Sequence, residues 1–249
     1  MSKTGSYISK KIGQAIGAYD MIADGDRILV AVSGGKDSFT LLKLLRERQR
    51  WAPVAYTLHA AYVETENTCD SLIIKKYLAR FCTEMDVTYT VKTVTIDYDD
   101  KKTNCFWCSW NKRKILFDLA QEIGYNKIAL GHHKDDIVET VLLNMFFVGN
   151  FSTMNPKQEL FEGKVTLIRP LVYCEEKHTE AFAKECDFPF IRCGCAHIND
   201  SNRQYIKQFI SEAQKRSPDI KENIFNSMNR IRSDYIDIRN DTSHTKSYA

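Results

Sequence analysis

The sequence predicts an α/β fold: a parallel sheet with helices on both faces, followed by a helical C-terminal extension. Three observations predict it. Short apolar runs of buried-strand type alternate with segments of helical periodicity. A Gly-Gly turn closes the first run and opens a helix. Beyond Pro170 the alternation stops and the pattern becomes mostly helical.

The elements follow in order. Arg27–Val32 (RILVAV) is the first strand, and the turn Ser33–Lys36 leads into a helix marked by Phe39, Leu41, Leu42 and Leu45. Val54–Val63 is the second strand, and Ser71–Met85 a helix with Ile73, Tyr77 and Phe81 on one face. Thr88–Val94 alternates as a third strand. Arg113–Ile123 is helical, with Ile115, Leu116, Leu119, Ala120 and Ile123 on one face and Gly124 as its stop. Lys127–Gly131 is a fourth strand, Asp135–Phe147 a helix, and Val165–Ile168 a fifth strand ended by Pro170. Helices are expected at Glu175–Glu185, Asn199–Gln214 and Asp219–Ile231. Ligands of such a sheet bind beyond the carboxyl ends of its strands.

Composition narrows the function. The 249 residues, 43% hydrophobic, are enough for one α/β domain, or one with a small appendage, around a real core. A charged fraction of 27% and 13 Phe argue against disorder. Thirty-five Lys+Arg against 32 Asp+Glu leave +3, which excludes a protein coated in basic residues but not a local basic patch. No apolar run approaches the ~20 residues of a membrane span, and the first twenty residues lack a signal-peptide stretch. The expected location is cytoplasmic, with no membrane partner.

The sharpest local signal is Ser33-Gly34-Gly35-Lys36-Asp37-Ser38, between strand and helix. Two glycines allow a tight turn with bare N–H groups, and the helix adds its positive end. Lys36 supplies a point charge, and Ser33 and Ser38 supply hydroxyls. A Gly-Gly turn can merely join strand to helix, but this lysine and these serines suit phosphate. The spacing is neither G-x-x-x-x-G-K-[ST] nor G-x-G-x-x-G, which removes kinase, GTPase and NAD-enzyme readings.

In a reducing compartment clustered cysteines are more often ligands or catalysts than disulfides. Cys82, Cys174 and Cys186 stand alone among apolar or helical neighbours and read as small buried hydrophobes. Cys105 and Cys108 have the spacing that turns two thiolates towards one metal, with Lys101, Lys102, Lys112, Arg113 and Lys114 around them. Cys193 and Cys195 could fold alongside. A structural zinc, a redox pair and an iron–sulfur cluster remain open at this point, although C-x-C is an unusual zinc half-site and no thioredoxin-like pattern flanks C-F-W-C.

Gly131-His132-His133-Lys134-Asp135-Asp136 opens a helix after the fourth strand. Asp135 or Asp136 would cap that helix. On a turn the two histidine side chains diverge, which speaks against a shared metal. The segment KKTNCFWCSWNKRK mixes five basic residues with Phe106, Trp107 and Trp110. That combination suits phosphates and an unpaired base, and equally a hydrophobic lid. Lys10, Lys11, Arg203, Lys207, Lys215 and Arg216 could extend a basic path. Cys69 reads as a surface thiol after the second strand.

SGGKDS after a first strand resembles the signature of the PP-loop ATP pyrophosphatases, which cleave ATP to AMP and pyrophosphate while activating a carbonyl-type oxygen. DMIADGDRILVAVSGGKDSFTLLKLL, CFWCSWNKRKILFDLAQEIGYNKIALGHHKDDIVETVLLNMFF and IRPLVYCEEKHTEAFAKECDFPFIRC are together similar to the tRNA 2-thiocytidine synthase (TtcA) family. The similarity runs from about Ile12 to about Ile231.

The resemblance implies a PP-loop, adenine nucleotide alpha hydrolase-like domain over residues 1–170 carrying the C-x-x-C loop, and a helical extension over 171–249. It implies ATP on Ser33, Gly34, Gly35, Lys36, Asp37 and Ser38, with Lys36 and Asp37 in catalysis. Gly131 would lie near ATP and Asp136 near phosphate or Mg2+, with Asn144 and Arg169 as lesser candidates. It further implies a [4Fe-4S] cluster on Cys105, Cys108 and Cys193, leaving one iron open for sulfide, and so prefers the cluster over zinc. Where the family commonly has a second C-x-x-C, this chain has Cys193-Gly194-Cys195, so Cys195 is either spare or a catalytic, sulfur-handling thiol. The implied reaction adenylates and thiolates C2 of an anticodon-loop cytidine in tRNA, with sulfur from a cysteine desulfurase, and is compatible with a homodimer. The alternatives are the same activation aimed at uridine or a small molecule, and a nucleotide-binding redox sensor without turnover.

Overall fold

The structure, a computed structural model, describes residues 1–65, 71–95, 105–189 and 201–235. Six strands form one sheet in the order β3-β2-β1-β4-β6-β5. The strands are β1 (Asp26–Val32), β2 (Tyr56–Thr65), β3 (Thr88–Val94), β4 (Lys127–Ala129), β5 (Lys157–Leu160) and β6 (Val165–Ile168). All pairings are parallel except the β5–β6 hairpin at the edge. The helices are α1 (Lys3–Ala18), α2 (Lys36–Arg48), α3 (Ser71–Met85), α4 (Cys105–Glu122), α5 (Lys134–Leu143), α6 (Glu176–Glu185), α7 (Ser201–Arg216) and α8 (Ile220–Ser227).

Strand side chains alternate between two cores. Ile28, Val30 and Val32 of β1 and Leu58, Ala60 and Tyr62 of β2 join the larger core, with residues of α1, α2, α3, α5 and α6. Leu29, Ala61, Val63, Ile128 and Leu167 face the other way, onto Leu116, Leu119 and Ala120 of α4. The sheet is therefore covered on both faces, as the unbroken apolar runs of its central strands require. The chain passes from β1 outward to β3, then returns to the far side of β1 as β4. That reversal opens a crevice at the carboxyl ends of β1 and β4.

The helical C-terminal part is present as expected. Helix α6 lies against α1 and α2, whereas α7 and α8 pack on α5 and on each other. Asp135 ties this arrangement together: its carboxylate accepts from Lys221 Nζ of α8 at 2.6 Å and from the Glu176 N–H of α6 at 2.7 Å. Burial alone would raise its carboxyl, but these two donors hold it below the usual value. The stabilisation is thus present above the unfolded-state carboxylate range and lost as pH falls through the lower native value. Asp135→Asn is expected to cost about 3 kcal/mol in urea unfolding at pH 7. The gap to wild type should close as pH drops below about 4, and a gap that stays constant down to pH 3 would contradict the role.

Several boundaries differ from the sequence reading. The α3 face that packs inward is Ile74, Leu78, Phe81 and Cys82, while Ile73 is exposed: the true stripe is one residue on from Ile73. Helix α4 begins at Cys105, eight residues before Arg113, so the C-x-x-C pair is a helical first turn and not a loop. Helix α5 ends at Leu143 and passes into a π-type turn, Asn144–Val148, closed by Gly149 at φ +77°. Strand β4 stops at Ala129 and α8 at Ser227, both short of the expected ends. The antiparallel strand β5 and the N-terminal helix α1 were not foreseen. Among the described residues no helix is long and apolar enough to cross a membrane.

Candidate functional site

The turn Ser33–Ser38 leaves β1 at the crevice. Gly34 takes φ +87°, and a Cβ there would sit 2.6 Å from Ile74 Cδ1, so only glycine fits. Gly35 is the N-cap of α2, with no side chain capping the helix, which leaves first-turn amides without a side-chain acceptor. Ser38 Oγ closes the turn: it accepts from the Ser33 N–H at 3.2 Å and donates to the Gly35 carbonyl at 2.8 Å. The Gly35 N–H donates to Ser33 Oγ at 3.3 Å; the first-turn donors of α2 and its dipole make an anion cradle.

Lys36 does not line the crevice. Its Nζ lies between Asp37 Oδ2 at 3.1 Å and Glu176 Oε1 at 2.9 Å on α6. Burial opposes its charge, yet the two carboxylates raise its pKa overall, so it stays a cation. Asp37 Oδ1 also accepts from the Thr179 hydroxyl at 2.5 Å. Glu176 and Thr179 thereby anchor the turn from about 140 residues away, and the sequence offered no local signal for either.

The second turn, from β4 to α5, meets the first. A Cβ on Gly131 would come within 3.1 Å of Ser38 N and 3.2 Å of the Asp37 carbonyl carbon, so this glycine permits backbone-to-backbone approach. Asp136 accepts from the His133 N–H at 3.0 Å and completes the helix start; Asp135 serves the helix joints instead. His132 is pushed down to about 4 by burial, and its Nδ1 accepts from Arg169 Nε at 3.3 Å. Asn144 bonds the Ser152 carbonyl and hydroxyl, away from the crevice lining.

Together these turns border a cleft of about 700 Å³. Ser33, Asp37, Ser38, Gly131, His132 and Asp136 line one part. Ser109, Lys112 and Arg113 of α4, with Arg169 and Arg203, line another. The cleft therefore holds four cations against two carboxylates, an electrostatic lining for polyanions. Arg203 and Lys207 of α7 approach the buried Glu139 at 3.4 and 3.6 Å, which ties α7 to α5.

Among the cysteines, Cys105 and Cys108 occupy the first turn of α4, where Cys108 is half-buried and the side chain of Cys105 lies outside the described residues. Cys69, Cys193 and Cys195 lie outside the described residues, as do Lys101 and Lys102 and the side chains of Phe106 and Trp107. Cys82 and Cys174 are fully buried thiols pushed up to about 12 by burial, which fits their reading as packing residues. Cys186 is partly buried and shifted the same way.

A family model described as a PP-loop domain matches residues 6–214. The tRNA-cytidine(32) 2-sulfurtransferase of Geobacter sulfurreducens is 38% identical over 234 residues, 92% of this chain and 91% of the relative. That of Pectobacterium atrosepticum is 38% identical over 235 residues, 93% of this chain and 76% of the relative. Among solved structures, the U34-tRNA thiolase NcsA from Methanococcus maripaludis with its [4Fe-4S] cluster has a TM-score of 0.74 at 23% identity. It covers 90% of this chain, which in turn covers 77% of it, and establishes a shared fold.

Proposed function

The chain belongs to the PP-loop family and, within it, to the tRNA-cytidine(32) 2-sulfurtransferases, and from that premise we propose that it is an ATP-dependent enzyme that adenylates and thiolates C2 of an anticodon-loop cytidine in tRNA. The observation that carries this reading is a shared cleft. The phosphate-type turn of β1–α2 and the helix that begins with the cysteine pair line the same cavity.

In this reading ATP places its β- and γ-phosphates on Ser33–Ser38, where the amides of Gly34 and Gly35 and the first turn of α2 receive them. Lys36 exchanges its Glu176 carboxylate for phosphate and offsets the charge of the departing pyrophosphate. Asp37 and Asp136, both on the cleft wall, are the carboxylates for Mg2+. The C2 oxygen of the cytidine attacks the α-phosphorus and pyrophosphate leaves. Sulfur then attacks C2 and AMP leaves, restoring the aromatic base.

Cys105 and Cys108 fit a cluster as donors, two soft thiolates on one helical turn beside Lys112, Arg113 and Lys114. Cys193 is the third ligand. A [4Fe-4S] cluster held by three thiolates supplies an iron with room for sulfide. Cys195 is either a spare thiol or a sulfur-handling one, a cysteine desulfurase is the sulfur source, and the working unit is a cytoplasmic homodimer. Residues 1–170 form the nucleotide-binding part and 171–249 bring the third cysteine.

The test is tRNA-dependent turnover. Protein prepared without oxygen should convert ATP to AMP and pyrophosphate only when tRNA is added. Nucleotide binding without any AMP, with or without tRNA, would replace the enzyme by a sensor.

A further inference from the structure

Three cations are buried among the described residues, namely Lys127, Lys134 and Arg169. Lys127 has Asp26 at 3.2 Å, and Lys134 has Glu222 at 2.5 Å. Arg169, only 3% exposed at the end of β6, has no carboxylate. Its Nη1 donates to the Asn155 carbonyl and its Nε to His132, which is neutral. The charge that acts on it is a second cation, Arg113 of α4; burial and this guanidinium bring Arg169 down to about 10. Arg113 is itself partly desolvated, its Nε bonded to the Ser109 carbonyl at 3.3 Å. Two guanidiniums lining one cleft with no carboxylate partner among the described residues are costly in a protein that elsewhere neutralises its buried cations. Both line the cleft, and both leave N–H groups for a ligand.

We propose that Arg113 and Arg169 form a clamp for the phosphoryl group that is transferred, the one that remains in AMP, separate from the pyrophosphate cradle at Ser33–Ser38. This deepens the reading above and rests on it. A guanidinium fork matches two phosphate oxygens at once, and a buried pair gains most when the phosphorus passes through its five-coordinate state with added equatorial charge. In that step the cytidine C2 oxygen forms a bond to phosphorus. The bond from phosphorus to the β-phosphate oxygen breaks, and pyrophosphate departs with the electron pair. Arg113 reaches the clamp from the helix that carries the cysteines, and Arg169 from the end of β6. His132, accepting at Nδ1, keeps Arg169 turned toward the cleft.

The test is calorimetric binding of AMP and of inorganic pyrophosphate to wild type, Arg113→Gln and Arg169→Gln, without tRNA or a sulfur source. AMP should bind at least about tenfold more weakly to each variant, with pyrophosphate affinity and thermal midpoint preserved. Arg113 is half-exposed, so Arg113→Gln remains a folded reporter if Arg169→Gln does not fold. Unchanged AMP affinity in Arg113→Gln overturns the proposal, as does an equal loss of AMP and pyrophosphate affinity. Weakened tRNA binding with AMP binding intact also overturns it, and would assign the pair to an RNA phosphate. Because no turnover is measured, a failure of the thiolase reading would appear separately, as absent AMP formation by a wild type that still binds AMP.

Discussion

Replacing Cys108 by Ala is expected to abolish thiolation, by more than about a hundredfold, while ATP binding stays as in wild type. Cys108 lies in the first turn of α4 and is not among the residues that line the cleft, whereas Ser33, Ser38, Gly131 and Asp136 are. Loss of one half-buried thiol near a helix end should change stability by no more than about 1 kcal/mol. The separation is the informative part. Iron content and 2-thiocytidine should fall together, with the nucleotide-induced rise in thermal midpoint preserved. A variant that keeps four irons and full thiolation would remove Cys108 from the cluster. Loss of ATP binding as well would mean that Cys108 supports the nucleotide site rather than the sulfur chemistry.

Gly34→Ala should do the opposite, acting on the fold and on ATP together. At φ +87° alanine is strained, and its Cβ would come 2.6 Å from Ile74 Cδ1 under the turn. Strain and overpacking together are expected to cost about 2–4 kcal/mol, seen as a fall of roughly 5–15 °C in thermal midpoint. Gly35→Ala is the matched control. Gly35 is at φ −90°, and a Cβ there meets only Ser33 Oγ at 3.5 Å. That variant should keep its thermal midpoint and lose ATP affinity, because the added methyl occupies space that a phosphate needs. If Gly35→Ala binds ATP normally, the triphosphate does not lie on this turn.

The contrast between these glycines shows what was legible in the sequence. Strand–turn–helix around SGGKDS could be read locally, since the apolar run, the two glycines and the helical period lie within twenty residues. Strands β1, β2, β3, β4 and β6 announced themselves through apolar runs or alternation. Strand β5, KQEL, is short, polar and at the sheet edge, so it carried no such signal. Helix α1 does carry one, Ile8, Ile12 and Ala15 at helical spacing, among many polar residues. Within the site, local chemistry marked the Ser33–Ser38 turn, and the family resemblance marked Asp37 and Gly131, which line the cleft. What holds Lys36 could not be read, because Glu176 and Thr179 reach the turn only through the packing of α6 on α2. Arg113 looked like one basic residue among five. Its meaning comes from Arg169, brought beside it by the tertiary fold.

On the proposed reading, this chain moves sulfur onto a cytidine of tRNA. A nucleoside analysis is the measurement to make, on tRNA incubated without oxygen with the protein, ATP, Mg2+, cysteine, a cysteine desulfurase and a thiol reductant that brings its persulfide sulfur to sulfide. The account predicts 2-thiocytidine, with one AMP formed for each thiolated base and none when ATP is omitted. Thionucleosides restricted to uridine, or no thionucleoside from protein that carries its full iron, would contradict it.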